Sequence, residues 1–178
     1  HAGYEMKRDL AAALTKDGHE IIDLGTHTSA AVDYPDYAEA VADVLREGQV
    51  ERGLIVCGSG AGVSIAANKF PGIRAAVCHD CYTAHQAVEH DDMNVLCLGA
   101  RVVGANLARE IVAAFLAAKF TGEERHLRRL AAARHRLAHA DRAPRPGDAV
   151  VHAPVLGSRV AAQPGDRAVR AGAAARRA

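Results

Sequence analysis

One thiol, Cys57, closes the apolar run Gly53-Leu54-Ile55-Val56 and opens the turn Gly58-Ser59-Gly60-Ala61-Gly62, which leads into the small-residue stretch Val63-Ser64-Ile65-Ala66-Ala67-Asn68-Lys69. Glycines in such a turn permit positive φ and a close approach of backbone. The N–H groups of the turn, helped by the positive end of the following helix, can bind an anion. An oxyanion or enediolate held there would find its donors already oriented, and a thiol in the same field ionises more readily. Cys57 can therefore serve as nucleophile or base beside an anion cradle. The same residues also fit a buried structural cysteine before an ordinary strand-to-helix turn. No Gly-Lys-Ser/Thr follows, so this is not a Walker-type phosphate loop. The glycine spacing also departs from the dinucleotide fingerprint, and about twenty residues on stands His79-Asp80 after a strand, a poor ribose-binding acid.

Other residue groups invite chemistry less directly. His85 and His90 flank Glu89, and Asp91-Asp92-Met93-Asn94 follows. A histidine at a helix end before a strand is expected to reach the ligand face of a sheet, where it is a natural acid or base near neutral pH. The plainer alternative is a helix cap or surface residue. Cys78-His79-Asp80-Cys81 suggests a metal or redox pair, but no second ligand pair with zinc spacing accompanies it, and Cys78 falls in a strand where it should be core. Arg125 and Arg129 are four apart on one helix face. Two guanidiniums there suit a phosphate dianion, or form a solvated basic face.

These residues need elements to position them. Apolar spacing predicts helices over 4–16, 34–47, 62–68, 81–90, 106–120 and 123–139, with Pro35 suited to a first turn. Strands are expected over 19–24, 53–56, 73–77 and 94–98. Alternating strands and helices indicate an α/β fold, a doubly wound parallel sheet in a three-layer sandwich. The near-continuous apolar strands fit a sheet covered on both faces. Ligands in such folds bind outside the carboxyl ends of the strands, where Cys57 and its turn should lie. A chain opening on a helix at His1 is unusual here, and the expectation is that a first strand is missing before it.

Composition sets the outer limits. Apolar residues make up 49 % of the 178, enough for a sizeable core, and with no Trp that core must be mostly aliphatic. No apolar run is long enough to span a bilayer, and no signal peptide is visible. The four cysteines lack a disulfide-scaffold spacing and read as reduced thiols of a cytoplasmic protein. Residues 1–141 carry 15 Lys+Arg and 19 Asp+Glu, net −4, whereas 142–178 carry 7 Arg and 2 Asp, net +5. The expected organisation is one domain over 1–141 and an Ala/Arg/Pro/Gly-rich, disordered tail over 142–178. The mildly acidic body argues against a nucleic-acid role, and no membrane role is expected.

Taken together, the chain resembles the ribose-5-phosphate isomerase B family, which includes galactose-6-phosphate isomerase subunits. The resemblance rests on Asp33-Tyr34-Pro35-Asp36-Tyr37, Cys57 to Lys69, Gly72-Ile73-Arg74-Ala75, His90-Asp91-Asp92-Met93-Asn94-Val95-Leu96, Gly99-Ala100-Arg101-Val102-Val103-Gly104 and Arg125-His126-Leu127-Arg128-Arg129, in collinear order. It implies a flavodoxin-like, metal-free and cofactor-free aldose–ketose isomerase acting as a homodimer or dimer of dimers with shared active sites. On that resemblance Cys57 is the base that moves a proton between C1 and C2, the turn Ser59, Gly60, Ala61 and Gly62 holds the enediolate charge, and Gly58 binds substrate beside it. His90 assists ring opening as acid. His1, Asp91, Arg101, Arg125 and Arg129 meet the substrate, and Tyr34 lines the pocket. The family carries an Asp just before the position of His1, which this chain lacks. Asp91 stands where many members have Asn, and Val63 where one branch has a Glu base. The implied reaction interconverts D-ribose 5-phosphate and D-ribulose 5-phosphate, a pentose phosphate pathway step. Alternatives are a six-carbon substrate (allose or galactose 6-phosphate), a non-catalytic phosphosugar-binding module, or a thiol-redox protein using Cys78 and Cys81.

Overall fold

The most apolar of the expected strands becomes the centre of the sheet. The computed structural model describes residues 1–137, and the expected tail over 142–178 lies outside the described residues. In chain order the elements are α1 (Tyr4–Lys16), α2 (Tyr34–Arg46), β1 (Gly53–Cys57), α3 (Ala61–Ala67), β2 (Ala75–Val77), α4 (Cys81–Asp91), β3 (Val95–Gly99), α5 (Ala105–Ala117) and α6 (Glu124–Leu137). The three strands are parallel in the order β1-β3-β2, with Gly53 opposite Val95, Cys57 opposite Gly99, and Ala75 also opposite Val95. β3 is buried along its whole length, as a central parallel strand with helices on both faces must be.

The side chains of β3 alternate between two cores. Leu96 and Leu98 pack with Leu10 of α1, Ala84 and Val88 of α4, and Ile111, Val112 and Phe115 of α5. Val95 and Cys97 pack on the other face with Ala38 and Ala42 of α2, Val63 and Ala67 of α3, and Ile55 of β1. Helices thus cover both faces of the sheet, which is the doubly wound, three-layer arrangement. Each fully buried leucine contributes about 1.5–3 kcal/mol. Pro35 sits in the first turn of α2, where its missing N–H costs nothing. Among the described residues no helix is long and apolar enough to cross a membrane.

One expected element is absent. Residues 19–24 form no strand. A strand exists only where a neighbour completes its ladder. Among the described residues β1 is hydrogen-bonded on one side only, to β3, and residues 19–24 do not pair with its other edge, so they join no ladder. Ile21 and Ile22 consequently remain exposed, although their sequence pattern is that of a strand.

Candidate active site

The carboxyl ends of β1 and β3 meet at Cys57 and Gly99, and the chain makes its first site there. Cys57 is a free, half-buried thiol on the last residue of β1. Its turn is held by backbone: the Ala100 N–H donates to the Cys57 carbonyl at 2.8 Å and the Arg101 N–H to the Gly58 carbonyl at 3.0 Å. Gly60 takes φ +82°, and a Cβ there would lie 3.2 Å from the Leu98 carbonyl carbon, so only glycine suits both the conformation and the space. The Ser64 N–H donates to the Gly60 carbonyl at 3.1 Å, and the Ala61 N–H to Ser59 Oγ at 3.4 Å. Between them the N–H groups of Gly62 and Val63 have no acceptor among the described residues. The expected anion cradle calls for donors of this kind.

Other expected residues gather at the same turn. A side chain at Gly62 would come within 3.1 Å of Tyr34 Cζ, so the absence of one lets the exposed tyrosine ring lie over the start of α3. A Cβ on Gly58 would be 3.5 Å from the Ala2 methyl and 3.8 Å from Arg101 Nε. This brings the residue after His1 and the exposed Arg101 to the first glycine of the turn. His1 Nδ1 accepts from the Val32 N–H at 3.4 Å, which ties His1 to the loop that precedes Tyr34. The near end of that loop is fixed by Asp23, which accepts from Lys7 Nζ at 2.6 Å and from the Gly25 N–H at 3.1 Å. Burial pushes the Asp23 carboxyl up, but Lys7 and Gly25 together hold it below the usual carboxylate range.

His90 and its neighbours lie elsewhere. α4 begins beside the carboxyl edge of β2 and returns to the amino edge of the sheet before β3 begins, so its last turn carries His90 and Asp91 to that opposite edge. The expectation that His90 reaches the ligand face of its own chain is therefore corrected: a helix end that precedes a parallel strand lies at the strand's amino end. The four steps from Val95 to Gly99 alone separate the edges by about 13 Å. Here Arg74 Nη2 pairs with Asp92 at 2.6 Å, and Arg52 donates to the carbonyls of Met93 (2.7 Å) and Ala118 (3.2 Å). The N–H and hydroxyl of Thr121 both donate to the Glu89 carbonyl, at 3.1 and 3.0 Å, and so fasten the approach to α6 onto the end of α4.

On that platform the rings of His90 and His126 stack, with centroids 4.3 Å apart and planes 25° from parallel. Arg125 and Arg129 are both exposed, as one outward helix face requires. Arg125 Nε contacts Glu123 Oε2 at 2.9 Å and donates to His126 Nε2 at 3.1 Å. Asp91 is exposed. His126 is the residue that sequence reasoning missed. Its signal was weak, a histidine four before Leu130 in a basic run, and the apolar Leu127 beside it is the side chain left exposed.

Cys78 and Cys81 are free thiols. Cys78 is fully buried beyond β2 in the α1–α4–α5 core, and burial pushes its thiol up to about 11, with the Asp80 carboxylate adding to the rise. Burial pushes Cys97, inside β3, up to about 12. Both favour the protonated, unreactive form, which suits packing rather than thiol redox chemistry. Among the described residues no cluster of three or more His, Cys, Asp or Glu is placed to hold a metal ion.

The profile of the Ribose/Galactose Isomerase family matches residues 1–133. Over 132 residues the chain is 48 % identical to ribose-5-phosphate isomerase B of Escherichia coli (strain K12), covering 74 % of this chain and 88 % of that one. It is 40 % identical over 122 residues to a D-erythrulose-4-phosphate isomerase of Pectobacterium atrosepticum, covering 68 % and 80 % respectively. The solved structure of Clostridium thermocellum ribose-5-phosphate isomerase B superposes with a TM-score of 0.76 at 48 % identity, over 79 % of this chain and 94 % of that one.

Proposed function

The chain belongs to the Ribose/Galactose Isomerase family, and from that premise we propose that it interconverts D-ribose 5-phosphate and D-ribulose 5-phosphate through an enediolate. The observation that carries this reading is the Cys57 thiol at a strand end beside the unpaired N–H groups of Gly62 and Val63. A proton next to a carbonyl is too weakly acidic to leave unless the charge it creates is stabilised as it forms. A fixed cradle does this without reorganising.

In this mechanism the Cys57 thiolate takes the proton from C2 as the C2–H electron pair forms the C1=C2 bond and the carbonyl pair moves onto O1. The same proton returns to C1, the O2 hydroxyl proton passes to O1, and C2 becomes the carbonyl. Gly58, Ser59, Gly60, Ala61 and Gly62 surround the enediolate, and Tyr34 lines the pocket. His1 and Arg101 meet the substrate from the same edge. His90 protonates the ring oxygen as its bond to C1 breaks, while the O1–H electron pair forms the C1 carbonyl and the O1 proton leaves to water; Asp91 lies beside it, and Arg125 and Arg129 take the phosphate.

Because His90, Arg125 and Arg129 stand at the edge opposite Cys57, one chain cannot bring both groups to one sugar. We infer a homodimer, alone or paired again, in which one protomer's Cys57 turn meets the partner's His90 and arginines. The free thiols of Cys57 and Cys81 suit a reducing, cytoplasmic setting.

The test is a side-by-side assay of ribose 5-phosphate, erythrulose 4-phosphate, allose 6-phosphate and galactose 6-phosphate. The expected result is the highest kcat/KM on ribose 5-phosphate. A higher value on a four- or six-carbon substrate would replace the substrate while keeping the chemistry. Binding of all four without turnover would make the protein a phosphosugar-binding module.

A further inference from the structure

Among the described residues His126 is the one fully buried polar or charged side chain, at 1 % exposure, and the proposed mechanism gives it no task. It sits between two groups that have one. Its ring stacks on His90, and its Nε2 lies 3.1 Å from Arg125 Nε. A guanidinium only donates, so Nε2 must be the accepting nitrogen and the ring hydrogen must be on Nδ1. Nδ1 is buried and has no partner among the described residues. A phenyl ring would stack on His90 as well and leave no buried N–H, which is costly to desolvate. What imidazole adds is the acceptor for Arg125.

Resting on the isomerase reading, we propose that His126 is a positioning residue that fixes the ring-opening acid and the phosphate clamp to each other. One face of its ring sets the plane of His90. Its Nε2 holds Arg125 by Nε, which Glu123 also engages, and the terminal amino groups of Arg125, without a partner among the described residues, are available to a phosphate. The two hydrogen bonds from Thr121 to the Glu89 carbonyl keep the supporting helix ends together. Acid and clamp thus form one unit at the amino edge, although they come from helices far apart in sequence.

Two substitutions separate the two contacts. His126→Phe keeps the stack and removes the acceptor; KM for ribose 5-phosphate should rise about tenfold, the worth of one charge-assisted hydrogen bond, with kcat within about threefold. His126→Gln keeps an accepting oxygen and removes the aromatic face; kcat should fall about tenfold through a misplaced acid, with KM within about threefold. Any other pattern, including equal changes in both variants or none, overturns the proposal. Independently, nitrogen-15 NMR of the wild-type imidazoles should show His126 as the Nδ1–H tautomer, and the Nε2–H tautomer would overturn it even if a variant fails to fold. A wild-type protein that turns over no aldose phosphate would remove the isomerase reading, and the tautomer would still decide whether His126 holds Arg125.

Discussion

The turn after Cys57 and the His90–His126 stack lie at opposite edges of one sheet and are built from different parts of the chain. At the carboxyl edge the backbone makes the site. The positive φ of Gly60 and the N–H groups of Gly62 and Val63, which have no acceptor among the described residues, come from consecutive residues at the end of β1. At the amino edge side chains make the site, and the contact between α4 and α6 decides which of them meet. A backbone site can be read as a motif because its geometry is local. A side-chain site needs a tertiary contact before its parts acquire a function.

The sharpest way to break the comparison is to disable one edge at a time. Cys57→Ala should lower kcat by about 10²–10⁴ or more, the worth of a positioned base, while phosphate-dependent substrate binding persists. His90→Ala should impair turnover at the other edge. Mixed at equal amounts and allowed to exchange subunits, the two inactive variants should recover about a quarter of wild-type turnover, because half the dimers then contain one intact site. Absence of recovery would mean that the two edges do not serve a shared site.

A smaller effect is expected from the clamp. Arg129→Ala should raise KM about tenfold with kcat little changed, as loss of a charge-assisted contact implies, and an unchanged KM would remove Arg129 from the phosphate site. Gly60→Ala tests the backbone site through stability. The +82° φ and the 3.2 Å approach to the Leu98 carbonyl should cost about 1–3 kcal/mol in denaturant unfolding, and a neutral result would show that the turn adapts without strain.

The smallest effect concerns α4, the element that runs from one edge to the other. Asp80 caps it by accepting from the Thr83 N–H and hydroxyl, both at 2.7 Å, and these bonds hold its carboxyl below the usual range. A folded-state value below the unfolded one means that this stabilisation is present above the unfolded pKa of about 3.9 and is lost as pH falls through the folded value. Asp80→Ala should therefore lower Tm slightly near neutral pH and have no effect once the wild-type carboxyl is protonated. Equal losses at both pH values would assign the effect to packing.

Much of the fold was legible because it follows from periodicity. The expected helix over 4–16 coincides with α1, and the strand expected over 53–56 gains only Cys57. The segment 19–24 failed for the complementary reason: Ile21, Ile22 and Leu24 have a strand pattern, but pairing is a property of two segments, and among the described residues no neighbour lies beside that edge of β1. The basic run at 125–129 was read as a charged face, and its arginines do point outward. Its histidine turns the other way, into the contact with α4.

Sequence by itself determined the local chemistry: a thiol at a strand end, glycines able to leave N–H groups unpaired, and two arginines one helical turn apart. These depend on neighbouring residues and on backbone conformations that residue types restrict. Only the tertiary structure decided that Cys57 and His90 face opposite ways in one chain, and that a buried His126 stacks on His90 and accepts from Arg125. Strand direction and helix contact depend on how distant segments bury their apolar faces together. That packing, unlike the turn after Cys57, is not encoded in any short stretch of the chain.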